Sequence, residues 1–95
     1  MRITEFEKDV IIEAIKTIDP NAKIWLFGSR ADDNKKGGDI DIGIMSEKIG
    51  LMEEIKIKQV ICDKIGEQKI DLAVSMDGHQ AFFRHIVTEG VLLYE

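Results

Sequence analysis

Asp39-Ile40-Asp41-Ile42-Gly43-Ile44-Met45 is the stretch that decides how this chain must be read. Polar and apolar residues alternate with period two at its start, which marks a β-strand with one face in the core. Ile40 and Ile42 supply that face, and Asp39 and Asp41 fall together on the other. Aspartate is a poor strand former. Two carboxylates at i and i+2 have α-carbons about 6.5–7 Å apart, and at an effective dielectric near 20 they repel by roughly 2 kcal/mol. A well-packed strand that keeps such an arrangement points to a divalent cation that offsets the repulsion. Ile70-Asp71-Leu72 repeats the oddity in another apolar segment, and Gly28-Ser29 ends the apolar run Ile24-Trp25-Leu26-Phe27 just upstream.

Outward from this strand, the pattern predicts seven elements. Thr4-x-x-Glu7 is a capping box opening a helix, in which Phe6, Val10, Ala14, Ile15 and Ile18 form the apolar stripe until Asp19-Pro20-Asn21 stops it. Ile24–Phe27 is the first strand, and a polar loop from Arg30 to Gly38 leads to the second. Leu51 to Ile65 reads as a helix with Ile57, Val60, Ile61 and Ile65 on its main stripe. Met52, Ile55 and Cys62 lie off that stripe, so this helix is apolar on more than one side. Gly66 closes it. Lys69 to Val74 is a third strand, Asp77 or Ser75 a cap for a last helix carrying Phe82, Phe83, Ile86 and Val87, and Val91–Tyr94 an edge strand after Gly90. Adjacent strands joined by a loop, then one reached through a helical crossover, imply an α/β fold with a mixed β-sheet flanked by helices.

The chain has 95 residues, enough for one domain, expected to span 1–95. Its formal charge of −5 argues against general nucleic-acid binding, which uses a basic surface. Cys62 is the single cysteine, so neither an internal disulfide nor a zinc cage is available and a reducing cytoplasm is the expected location. The N-terminus lacks the apolar core of a signal peptide, and no stretch approaches a membrane span.

The acidic cluster suits phosphoryl or nucleotidyl transfer. A glycine turn lets backbone amides approach a triphosphate, and carboxylates shared between two strands can hold a pair of metal ions. Hard oxygen ligands favour magnesium or manganese over zinc. Asp39 and Asp41 are therefore candidate ligands from one strand and Asp71 from a neighbour, with Gly28-Ser29 placed to cradle phosphates.

Gly28-Ser29-Arg30-Ala31, Gly38-Asp39-Ile40-Asp41-Ile42 and Ile70-Asp71-Leu72 together resemble the signature of the minimal nucleotidyltransferases of the DNA polymerase β-like superfamily. The likeness covers almost the whole chain, because Ile86-x-x-x-Gly90 and Leu93-Tyr94 also look like that family's C-terminal end. It implies a single-domain polymerase β-like nucleotidyltransferase fold. It also implies that Asp39, Asp41 and Asp71 are catalytic and hold two Mg2+ ions (Mn2+ being the other ion such ligands accept), and that Gly28, Ser29 and Arg30 bind a nucleoside triphosphate, with ATP as substrate. The sequence departs from the family after Ala31, where Asp32-Asp33-Asn34 replace the usual basic residue and glycine, and Lys35 and Lys36 follow. Members of this length are often encoded beside a HEPN-domain protein. The resemblance thus implies an antitoxin of a HEPN toxin–antitoxin pair, adenylylating the HEPN ribonuclease on tyrosine, with a hetero-oligomer as the expected form. Stoichiometric binding without catalysis, and the catalytic subunit of a two-component small-molecule nucleotidyltransferase, are the competing readings.

Several residues have plainer roles. Asp71 has an ordinary salt-bridge partner available in a lysine such as Lys69. His79 and His85 lie six apart, not at the i, i+4 spacing of a helical ligand pair. Trp25, Phe82 and Phe83 read as core or interface, and Cys62 as a small buried apolar residue.

Overall fold

Thr4 starts the first helix as the capping box requires: its Oγ1 accepts from Glu7 N–H at 3.0 Å, and Glu7 Oε1 accepts from Thr4 N–H at 2.8 Å. The Thr4 N–H holds the Glu7 carboxyl below its ordinary range. The computed structural model describes residues 3–31 and 39–95, apart from the Ser29 side chain. Its elements run α1 (Glu5–Lys16), β1 (Lys23–Phe27), a single 3-10 turn (Gly28–Ala31), β2 (Ile40–Met45), α2 (Leu51–Ile65), β3 (Ile70–Ser75), α3 (Ala81–Glu89) and β4 (Val91–Tyr94).

Strand order is β3-β2-β1-β4. β1 pairs antiparallel with β2 from Lys23↔Met45 to Phe27↔Asp41, and antiparallel with β4. β2 and β3, joined through α2, are parallel from Ile40↔Ile70 to Met45↔Ser75. The sheet is mixed, as the sequence predicts. Its first face buries Ile24, Leu26, Ile40, Ile42 and Ile44 completely, in one cluster with Val10, Ile11 and Ile15 of α1 and Ile57 and Ile61 of α2. Each such isoleucine contributes about 2–3 kcal/mol by leaving water, and β-branching suits it to the pleat. The second face carries a smaller cluster in which Trp25 meets Phe83 edge-on at 5.5 Å, with Ile86 beside them. Gly43 makes this contact possible: a Cβ there would lie 2.7 Å from Ile86 Cγ2, so α3 rests directly on the bare backbone of β2.

The structure alters several local expectations. α1 ends at Lys16, short of Asp19, where Thr17 donates its hydroxyl to Glu13 O at 2.8 Å and closes the last turn. Phe6 is 61 % exposed and Val60 37 % exposed, because the contact between α1 and α2 is narrower than either apolar stripe. Phe82 is likewise exposed, while Phe83 takes the core position. Neither Ser75 nor Asp77 caps α3. Gln80 occupies the cap position without a side-chain bond to the helix backbone, its Oε1 accepting instead from the Ser75 hydroxyl. A turn at Gly78 (φ +76°) uses both side chains instead: Ser75 Oγ accepts from Gly78 N–H at 2.7 Å, and Asp77 Oδ1 from His79 N–H at 3.0 Å. At the start of α2 only half a capping box exists, since Gly50 has no side chain and Glu53 alone returns a bond, to Gly50 N–H at 2.8 Å. Gly66, at φ +90°, ends that helix as expected. Among the described residues no helix is long and apolar enough to cross a membrane.

Candidate functional site

The parallel register of β2 with β3 sets Asp41 directly opposite Asp71. Paired residues in a ladder project to the same face, here the face that carries Gly43 and α3. Because α3 seats on Trp25 and Gly43, one pleat further along, Asp41 and Asp71 remain half-buried rather than covered. Asp39 lies just before β2, two residues from Asp41 and on its side of the strand.

The electrostatics match this placement. Burial holds the Asp41 carboxyl above the ordinary carboxylate range; the charges of Asp71 and Asp39 add to the effect, as does a side-chain hydrogen bond with Asp71. Lys69 opposes the shift. Asp39 meets Lys69 in an ion pair, Nζ to Oδ2 at 3.4 Å. Lys69 therefore partners Asp39, not Asp71, because the backbone sets Lys69 one step ahead of the Ile40↔Ile70 pair and so beside Asp39.

Gly28 begins the 3-10 turn at the end of β1 with φ +70°, and a Cβ on it would collide with Asp41 Oδ2. Glycine is required here twice, for its left-handed backbone and for close approach to the carboxylate. The turn thus lies against the acidic pair, as the position of Gly28-Ser29 predicts. Arg30 Nη2 donates to Gln68 Oε1 at 3.4 Å, and Gln68 Nε2 donates to Glu7 Oε2 at 3.3 Å. These contacts tie the turn to the start of α1 and the approach to β3. The Ser29 side chain and residues 32–38, with Lys35, Lys36 and Gly38, lie outside the described residues.

The donor set fits a hard divalent cation in its chemistry: three carboxylates whose charges converge on Asp41 and raise its pKa, under a glycine cradle that a Cβ would fill. Among the described residues no three acidic, histidine or cysteine groups are gathered closely enough to hold an ion as they stand. Asp39, drawn to Lys69, is the carboxylate that would have to turn inward. His79 is exposed and pairs with Asp77 at 3.6 Å, and Cys62 is half-buried, its Sγ 3.6 Å from Gln68 O.

Gln68 is a participant that the sequence did not point to, and Lys69, expected as a partner for Asp71, pairs with Asp39 instead. The signal was present in the parallel crossover: once Asp41 and Asp71 are matched, Asp39 and Lys69 follow by counting back. The family model described as polymerase beta, nucleotidyltransferase, matches residues 9–95. Among curated proteins, none matches the chain.

Proposed function

Because the chain belongs to the polymerase beta nucleotidyltransferase family, we propose that it transfers AMP from ATP to a tyrosine hydroxyl of a partner HEPN ribonuclease, silencing that toxin. The observation that carries this reading is the convergence of the Asp71 and Asp39 charges on Asp41, directly beneath the Gly28 turn. Asp39, Asp41 and Asp71 would hold two magnesium ions, whose chemistry is to neutralise the departing pyrophosphate and to ease ionisation of the attacking hydroxyl.

The protein's own groups divide the rest of the work. Gly28 lets the turn's backbone come close to the acidic pair, where its amides can donate to a phosphate. The acceptor oxygen bonds to the α-phosphorus while the bond from that phosphorus to the β-phosphate oxygen breaks, releasing pyrophosphate. The hydroxyl proton passes to a carboxylate of the cluster, and Asp41, whose burial and acidic neighbours raise its affinity for a proton, is the member best suited to take it. A tyrosine hydroxyl ordinarily titrates near 10, so a cation held by these carboxylates would favour its ionisation at neutral pH. Leu51, Met52 and Ile55 at the start of α2 are exposed and supply an apolar surface that a partner protein could cover.

The test is the intact mass of the partner after incubation with this chain, ATP and magnesium. An added AMP that vanishes with Asp39→Asn and Asp41→Asn supports transfer. Neutralisation that persists in both variants with no mass change would instead establish stoichiometric binding through the apolar surface.

A further inference from the structure

Lys69 is anchored at the acidic cluster by its backbone rather than by its side chain. Its carbonyl accepts from Ile40 N–H at 3.0 Å, which ties the residue to the first step of β2. The ammonium then reaches Asp39 Oδ2 at 3.4 Å while the side chain stays 72 % exposed and that of Asp39 43 % exposed. An ion pair this open to water is weak, because solvent competes for both partners and the long side chain gives up rotamer freedom. A divalent ion brings twice the charge to a hard oxygen ligand and carries no such flexible tether.

We infer that Lys69 is an internal counter-ion of the acidic cluster: it holds the Asp39 carboxylate while the site has no divalent ion, yields it when one binds, and so sets the cation affinity. The inference rests on the reading of Asp39, Asp41 and Asp71 as a cation site. The displaced ammonium swings into water. Lys69 is thus a positioning residue, acting on the cation through Asp39. The weakness of the pair is what suits it to the role, since a buried pair would lock the ligand away.

Mn2+ binding to the full chain, followed by the loss of the free-ion electron paramagnetic resonance signal without nucleotide, tests this. Lys69→Met should bind Mn2+ about two- to fivefold more tightly than the parent, the range expected when a surface pair no longer competes. Lys69→Arg, which keeps the charge, should restore parental affinity. Raising the KCl concentration should narrow the gap between parent and Lys69→Met, because salt screens an exposed pair; a change in packing would leave the gap intact. Mn2+ bound by the parent with equal or greater affinity than by Lys69→Met overturns the role of Lys69 alone. No uptake by parent or variant overturns the cation site and this inference with it.

Discussion

Ile40, Ile42 and Ile44 lose all contact with water beneath α1 and α2, whereas Asp41 and Met45, on the reverse of the same strand, stay half-buried beside α3. Two helices cover the first face and a nine-residue helix touches the second. One strand therefore divides stability and chemistry between its alternate residues. The apolar side holds the backbone rigid, so the polar side can keep carboxylates close together at a cost the core offsets. In a 95-residue domain that margin is small, of the order of 5–15 kcal/mol in total.

The comparison breaks first at Ile42. Ile42→Ala removes a fully buried side chain and should cost about 2–5 kcal/mol, read from the urea midpoint at unchanged slope. A loss below about 1 kcal/mol, the cost expected of a surface change at most, would mean that the two faces are not divided as described. One residue earlier the sign reverses. Asp41→Asn should lower the proposed AMP transfer by at least about a hundredfold, the scale of losing a group that stabilises transition-state charge. The same variant should melt no lower than the parent in the absence of metal, since burial and its acidic neighbours disfavour the ionised Asp41. A marked drop in melting temperature would show that Asp41 is structural.

Gly43→Ala sharpens the role of the small helix. The added Cβ meets Ile86 Cγ2 at 2.7 Å, so α3 must lift from β2. Overpacking of this kind costs about 1–3 kcal/mol. Trp25, edge-on to Phe83, should report the movement in its fluorescence.

The smallest effect is the dependence on pH, and it again separates two carboxylates. Asp41 has its folded pKa raised by burial and by Asp71 and Asp39, so its ionisation opposes folding; that penalty is present above the folded value and fades as pH falls through it. Asp19 behaves oppositely. The Ser46 hydroxyl, donating to Oδ2 at 2.5 Å, holds its carboxyl low despite burial, with Asn21 N–H helping. Its contribution is full above the unfolded value and is lost as pH falls through the lower folded one. Metal-free protein should therefore gain stability on mild acidification from neutral pH and lose it on stronger acidification. Asp41→Asn should flatten the first limb and spare the second, which thermal melts across the acid range would show.

Much of this division is legible in the residues themselves. Alternation in Asp39–Ile42 fixes strand type and core face, Thr4-x-x-Glu7 fixes a helix start, and Gly66 a helix end. Asp39, Asp41 and Asp71 stand out because local propensity disfavours aspartate in strands. Phe6, Val60 and Phe82 were less readable: period marks a helical face, but whether a neighbour reaches all of it depends on how far two helices overlap. The cap of α3 was hidden for a related reason, since Ser75 and Asp77 serve equally well in a turn and the positive φ of Gly78 chose the turn.

By itself, then, the order of residues determined the elements, the buried side of each strand and the identity of the acidic groups, because those follow from contacts a few residues apart. Only the tertiary structure decided that Asp41 faces Asp71, that Lys69 takes Asp39, and that Gly28 lies against the Asp41 carboxylate. Those partners are separated by 13 to 30 positions in the chain, and the register of a parallel crossover and the angle of a turn, set by packing of the whole sheet, bring them together.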